Sequence, residues 1–308
     1  MKHDLGNRAV LEGGDAYGTH RAISPPGALP QPAWRVDNDF TRLFAGETLL
    51  AVETLNVDAA SFTQMEEAAR ADVGEGGDVE AGVAHIVLRT VKERGKQHNP
   101  VTGSGGMLLG RVIQRVEGHG GAAADGVVVG DRVATLVSLS LTPLRIDAIR
   151  GMRRASAQID VDGEAVLFAS GACAKMPEDM PERLALAILD VAGAAPQVAR
   201  LVGPGKLVVI LGAGGKSGIL CAAEAHRRGA RVVGVEAHPP AAEELRSLGL
   251  CAAVVAADAR DPVAVRRAVL EASGGGEADV TFSCVNVPDA EMGAILATRD
   301  RGTVYFFA

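Results

Sequence analysis

The stretch from residue 207 to residue 307 constrains the fold more than any other part of the chain. Apolar runs at 207–211, 231–236, 253–257, 279–285 and 303–307 alternate with helical patterns at 218–228, 241–248, 262–272 and 289–296. Strands this apolar must be covered on both faces, and helices supplied by each connection cover them. The predicted class is therefore α/β, with a doubly wound parallel sheet in the second half.

The first strand runs into a glycine cluster: Gly212, Gly214, Gly215, Lys216, Ser217 and Gly218. Glycines between a first strand and a first helix permit a tight turn. They also let backbone N–H groups approach a pyrophosphate at the helix N-terminus, as in a Rossmann domain. The spacing fits Gly-x-x-Gly-x-x-Gly through Gly212, Gly215 and Gly218, or Gly-x-Gly-x-x-x-Gly through Gly214. Glu236 closes the second strand, where a carboxylate meets the adenosine ribose hydroxyls and repels a 2′-phosphate. The expected cofactor is NAD, with NADP the alternative. Asp258 and Asn286 end the third and fourth strands and are further candidate contacts, each equally readable as a strand-end turn former. A Walker loop would need a glycine at residue 210, which is Ile210.

Composition narrows the class further. A hydrophobic content of 47% with 22% charged residues excludes a mostly disordered chain. A net charge of −7 argues against a nucleic-acid partner. No run is apolar enough to cross a bilayer, and the first residues lack a signal-peptide pattern, so the expected location is cytoplasmic with no membrane partner. The four cysteines (Cys173, Cys221, Cys251 and Cys284) form no Cys-x-x-Cys pair and read as reduced thiols.

The first half is less regular. Residues 1–16 read as a loose leader, 17–180 as a β-rich domain, and 181–308 as the Rossmann domain. Strands are expected at 48–55, 108–116 and 132–139. Helices are expected at 60–71 and 79–95, the second with Val83, Ile86, Val87 and Val91 on one face. A polar, glycine-rich loop spans 96–106, and 181–202 reads as a helix broken near 193–196.

A β-rich first domain followed by a Rossmann unit resembles the medium-chain dehydrogenase/reductase superfamily, which implies a GroES-like fold for the first domain. Segments 17–21, 55–64, 95–107, 134–147 and 284–288 resemble more narrowly the L-erythro-3,5-diaminohexanoate dehydrogenase family. That resemblance implies oxidative deamination of a small diamino acid, in lysine fermentation, to 5-amino-3-oxohexanoate, ammonia and reduced nicotinamide cofactor. It also implies no metal. Zinc-dependent relatives carry a Cys and a Gly-His-Glu where this chain resembles them at Asp58 and Gly105-Gly106-Met107, and a lone carboxylate cannot complete a zinc site. A homo-oligomer is implied by the superfamily. The other readings are a zinc-free quinone or enoyl reductase and a non-catalytic nucleotide-binding redox sensor.

Within the family reading, Asp58 is the first candidate base, because its superfamily position faces the nicotinamide. Glu66 is a candidate base or partner for the distal ammonium, and His98 a candidate proton relay. Lys96 and Arg145 are candidate partners for the substrate carboxylate. Each has a plainer role available: Asp58 a helix cap, Glu66 a solvated helix face, His98 a turn residue, Lys96 and Arg145 surface charge.

The superfamily's sheet has six strands, and residues 303–307 supply only a fifth. The last helix and strand are therefore expected to be missing, with Tyr305, Phe306 and Phe307 exposed on an open edge.

Overall fold

The computed structural model describes residues 8–74, 76–99, 103, 105–118, 126–285 and 287–307. The chain divides into two compact units, Met1–Asp190 and Val191–Ala308. The division falls ten residues beyond position 180, after a helix at Glu182–Leu189 that belongs with the first unit.

The first unit contains strands β1 (Ala9–Leu11), β2 (Ala22–Ser24), β3 (Arg35–Val36), β4 (Arg42–Phe44), β5 (Thr48–Asn56), β6 (Met107–Arg115), β7 (Arg132–Thr135), β8 (Leu144–Arg153), β9 (Gln158–Leu167) and β10 (Cys173–Lys175). Its helices are α1 (Ala59–Val73), α2 (Val79–Arg94) and α3 (Glu182–Leu189). Six strands form an antiparallel sheet in the order β10-β7-β6-β5-β9-β8. Asp58 and Asp78 cap α1 and α2, their carboxylates accepting the N–H groups of Ser61 and Ala81. Val83, Val87 and Val91 recur at helical spacing and bury one face of α2 against Leu50, Val52, Leu108 and Val112 of the sheet.

The segment expected as a loose leader carries structure. β1 pairs in parallel with β4, and Arg8 donates to Gln114 and to the buried Glu164. Its partners lie far along the chain, so its polar composition gave no local sign of them.

The same unit buries an ion pair. Arg21 donates through Nε and Nη2 to the two carboxylate oxygens of Glu47, at 2.5 and 2.7 Å, and both residues are buried. His20 adds Nε2 to Glu47 at 2.9 Å and Nδ1 to Asp15 at 3.1 Å. Burial opposes the charged imidazolium, yet the Glu47 and Asp15 carboxylates outweigh it and raise the His20 pKa.

The second unit contains α4 (Ala194–Leu201), β11 (Leu207–Leu211), α5 (Lys216–Arg227), β12 (Arg231–Val235), α6 (Pro239–Ser247), β13 (Ala253–Val255), α7 (Pro262–Ser273), β14 (Ala278–Ser283), α8 (Glu291–Ala297) and β15 (Thr298–Phe306). All five strands are parallel, in the order β13-β12-β11-β14-β15. Alternation along β11 decides which helices cover which face. Val208 and Ile210 pack with Val198 of α4, Cys221 of α5 and Leu245 of α6. Val209 and Leu211 pack with Val265 of α7 and Ala294 of α8. Pro196 is tolerated in the first turn of α4, where its missing N–H has no helical partner to lose.

β15 begins five residues before the expected 303 and lies at the sheet edge. Of its closing aromatics only Phe306 is exposed. Tyr305 and Phe307 instead pack on Phe282, with ring centroids 6.0 and 6.2 Å away, which corrects the expectation that all three face solvent. Among the described residues, no single helix is long and apolar enough to cross a membrane.

Candidate functional site

In the second unit, β11 turns through Gly212 into α5. Gly212 has φ +69°, and a Cβ there would lie 2.8 Å from Val285 Cγ2, so only glycine fits. A Cβ on Gly218 would fall 2.2 Å from the Gly212 carbonyl oxygen, so its absence lets helix and strand meet. Gly214 is equally confined, with a Cβ 2.8 Å from that of Ala241 on α6. Gly215 differs. It caps α5 with no side-chain hydrogen bond, and its own Cβ would meet nothing nearer than 3.4 Å. The loop is thus packed tight behind and open in front. Lys216 is exposed and Ser217 half-buried on the first turn of α5.

The open side faces a cleft of about 470 Å³ lined by Gly212, Gly215, Glu236, Asp258, Arg260 and Cys284, among others. Glu236 follows β12 and accepts the Gly214 N–H at 2.9 Å and the His238 N–H at 2.9 Å. The carboxylate is therefore fixed beside the glycine turn. Asp258 pairs with Arg260, whose guanidinium holds the carboxyl down at about 2. A glycine turn that any Cβ would fill, an uncapped helix start and a fixed carboxylate fit a dinucleotide's pyrophosphate and ribose. Asn286 lies outside the described residues.

In the first unit, the loop after α2 folds onto the start of α1. Gly106, at φ +86°, approaches so closely that a Cβ would sit 2.1 Å from the Asn56 carbonyl oxygen and 2.8 Å from the Asp58 nitrogen. A Cβ on Gly105 would be 3.0 Å from the Ser140 nitrogen. Asp58 receives the Ser61 N–H at 2.8 Å and the Ser61 hydroxyl at 2.6 Å. Asn99 Nδ2 donates in turn to Ser61 Oγ at 2.8 Å and to Gln64 at 3.0 Å. This chain ties the polar loop to Asp58. Next to Asn99, His98 has its pKa pushed down to about 4 by burial and by the cations of Lys96 and Arg94. Its imidazole is neutral at pH 7, and its buried Nδ1 has no hydrogen-bond partner among the described residues. Gln97 Oε1 is in the same condition. Among the described residues, no three His, Cys, Asp or Glu side chains are grouped to hold a metal ion.

Residues 20–177 match the L-erythro-3,5-diaminohexanoate dehydrogenase N-terminal domain. The L-erythro-3,5-diaminohexanoate dehydrogenase of Acetoanaerobium sticklandii is 48% identical over 301 residues, covering 96% of this chain and 84% of the relative. The protein of the same name from Fusobacterium nucleatum subsp. nucleatum is 48% identical over 301 residues, covering 97% of this chain and 84% of the relative. The chain belongs to the L-erythro-3,5-diaminohexanoate dehydrogenase family. Its fold is that of the quinone oxidoreductases. A mycobacterial one superposes with a TM-score of 0.54 at 18% identity, over 86% of this chain and 66% of that one. One from Pseudomonas syringae pv. Tomato gives 0.52 at 18% identity, over 85% and 65%. The chain thus spans about two thirds of the length of these solved structures.

In this member of the diaminohexanoate dehydrogenase family, the candidates singled out from the sequence separate into two groups. Asp58 and the His98–Asn99 step are brought to one place through Ser61. Glu66, Lys96 and Arg145 are engaged elsewhere. Glu66 pairs with Arg154 and Arg70, and the Arg154 contact holds its carboxyl below the ordinary range. Lys96 is not surface charge but fully buried, its ammonium donating to the carbonyls of Pro30 at 2.5 Å and Gln31 at 2.8 Å. Burial and the nearby Arg94 push its pKa down to about 8. Arg145 pairs with Asp147 and with Glu164, which also holds Arg8. Sequence reasoning passed over Ser61 and Asn99. An N-cap at Asp58 places Ser61 at the third helical position, within reach of the capping carboxylate; Asn99 stood in the polar loop with nothing to distinguish it from its neighbours. Arg260, two residues beyond Asp258, was likewise missed.

Proposed function

We propose that the chain oxidatively deaminates L-erythro-3,5-diaminohexanoate to 5-amino-3-oxohexanoate, with hydride transfer to a nicotinamide dinucleotide and NAD preferred over NADP. The observation that carries this reading is 48% identity over 301 residues to two dehydrogenases of that name. The overall change is one protonated amine, one oxidised cofactor and one water giving one ketone, one ammonium, one reduced cofactor and one proton. The cofactor, when bound, supplies the hydride acceptor. Backbone N–H groups of the 212–218 loop hold the pyrophosphate, and Glu236 receives the ribose hydroxyls and repels a 2′-phosphate.

On the amine side, Asp58 is assigned the general base. It takes a proton from the substrate ammonium, freeing the nitrogen lone pair as the hydride departs. Ser61, oriented by Asn99, fixes the Asp58 carboxylate. His98 is assigned the proton relay for the water that adds to the carbon–nitrogen double bond: its imidazole is neutral and its buried Nδ1 has no partner among the described residues.

A quinone or enoyl reductase of the same fold is the competing chemistry; the likeness to such structures, at 18% identity, extends to fold alone. Incubation with the diamino acid and NAD, followed at 340 nm, is expected to form NADH. Consumption of NADPH with a quinone, and no NADH from the diamino acid, would overturn the assignment. The four cysteines are all free thiols, which supports a cytoplasmic setting. A homo-oligomer is proposed by analogy with the superfamily.

A further inference from the structure

Charge in the dinucleotide cleft is distributed unevenly. Both oxygens of Glu236 are already fixed by backbone N–H groups of Gly214 and His238. Among the described residues lining the cleft, Arg260 supplies the one guanidinium, and it is turned back onto Asp258. Arg260 Nη2 lies 2.6 Å from Oδ2, and Nε lies 3.0 and 3.1 Å from the two oxygens. The Arg260 backbone N–H adds a fourth bond at 3.0 Å, closing a two-residue turn. Both side chains remain exposed, at 45% for Asp258 and 63% for Arg260. The guanidinium is therefore accessible from the cleft and is held back by one carboxylate. Glu236, Asp258 and Arg260 together leave the cleft with a surplus negative charge, which opposes a ligand carrying an additional phosphate.

We propose that the Asp258–Arg260 pair is a cofactor-selecting device, in which Asp258 withholds Arg260 from the 2′ position of the adenosine ribose and so disfavours a 2′-phosphorylated dinucleotide. Removing the Asp258 charge frees a bidentate phosphate donor and cancels the surplus negative charge in one step. The inference rests on the reading of this cleft as the adenosine end of a dinucleotide site. It differs from selection by Glu236 alone, for which Asp258 is irrelevant.

Calorimetric titration of the wild-type protein, D258N and D258N/R260Q with NADH and NADPH separates these cases. The same titrations with 5′-AMP and 2′,5′-ADP isolate the adenosine half. In D258N the NADPH-to-NADH affinity ratio is expected to rise about three- to five-fold, the scale of one exposed ion pair. The 2′,5′-ADP-to-5′-AMP ratio should rise with it, and D258N/R260Q should return both toward wild type. Unmoved ratios in D258N, or an equal rise in the double variant, overturn the inference while leaving the dinucleotide site standing. Wild-type protein that binds neither NADH nor NADPH overturns the dinucleotide reading itself, and this inference with it.

Discussion

Gly218→Ala tests the glycine turn most sharply, because two effects of known size oppose each other. Alanine in a helix is favoured over glycine by about 1 kcal/mol. Against that, the new Cβ would lie 2.2 Å from the Gly212 carbonyl oxygen and 2.7 Å from the Ala213 Cα. Both are backbone atoms, so no side chain can swing aside, and the turn must open by about 1 Å to reach ordinary contact. Overpacking of this kind costs about 1–3 kcal/mol, so the net expectation is a loss of roughly 0–2 kcal/mol in urea unfolding. The larger effect is on binding. Displaced donors lose charge-assisted hydrogen bonds worth about 1.5–3 kcal/mol each, so the Kd for NADH should rise at least about tenfold. Gly215→Ala is the control. With φ −77° and its nearest contact at 3.4 Å, it should change stability by under about 0.5 kcal/mol while its methyl group obstructs the cleft. Stability by urea titration and NADH affinity by fluorescence should therefore separate in G215A. A G218A protein that binds NADH as tightly as wild type would refute the reasoning.

Other expectations follow from the first unit. Asp58→Asn keeps a good helix cap, so stability should stay within about 0.5 kcal/mol while kcat falls about a hundredfold or more; an unchanged kcat would remove Asp58 as the base. Glu47→Gln removes the buried, bidentate counter-charge of Arg21 and leaves it only the half-buried Asp37 carboxylate at 3.6 Å, so it should cost about 3 kcal/mol in urea unfolding, with Arg21→Met/Glu47→Leu recovering much of it. His98 has its pKa lowered from 6.5 to about 4, so between those values the unfolded chain binds the extra proton and stability falls as the pH drops. His98→Gln should flatten that part of the stability–pH curve, and an identical slope in the variant would contradict the assignment.

Much of the second unit was legible because a parallel sheet covered on both faces writes itself as apolar runs. The 207–211 strand matched its observed bounds, Leu207–Leu211, and Glu236, expected as the last residue of 231–236, lies one residue past its strand, Arg231–Val235. The first unit was harder to read because its decisive contacts join distant residues. Lys96 looks like surface charge in sequence, yet it is buried on carbonyls 65 and 66 residues away. Arg145 reaches the buried Glu164, which also holds Arg8, and nothing near Arg8 in sequence announces that partner. Tyr305 and Phe307 illustrate the same limit at a sheet edge: alternation shows which residues share a face, while Phe282 decides that the face is covered.

Amine oxidation is the central step, and the ratio of ammonium released to NADH formed measures it most directly. With L-erythro-3,5-diaminohexanoate and NAD, the prediction is one ammonium per NADH throughout the progress curve, with 5-amino-3-oxohexanoate as the keto product by mass spectrometry. NADH formed without ammonium, or no turnover by protein that binds NADH, would contradict it.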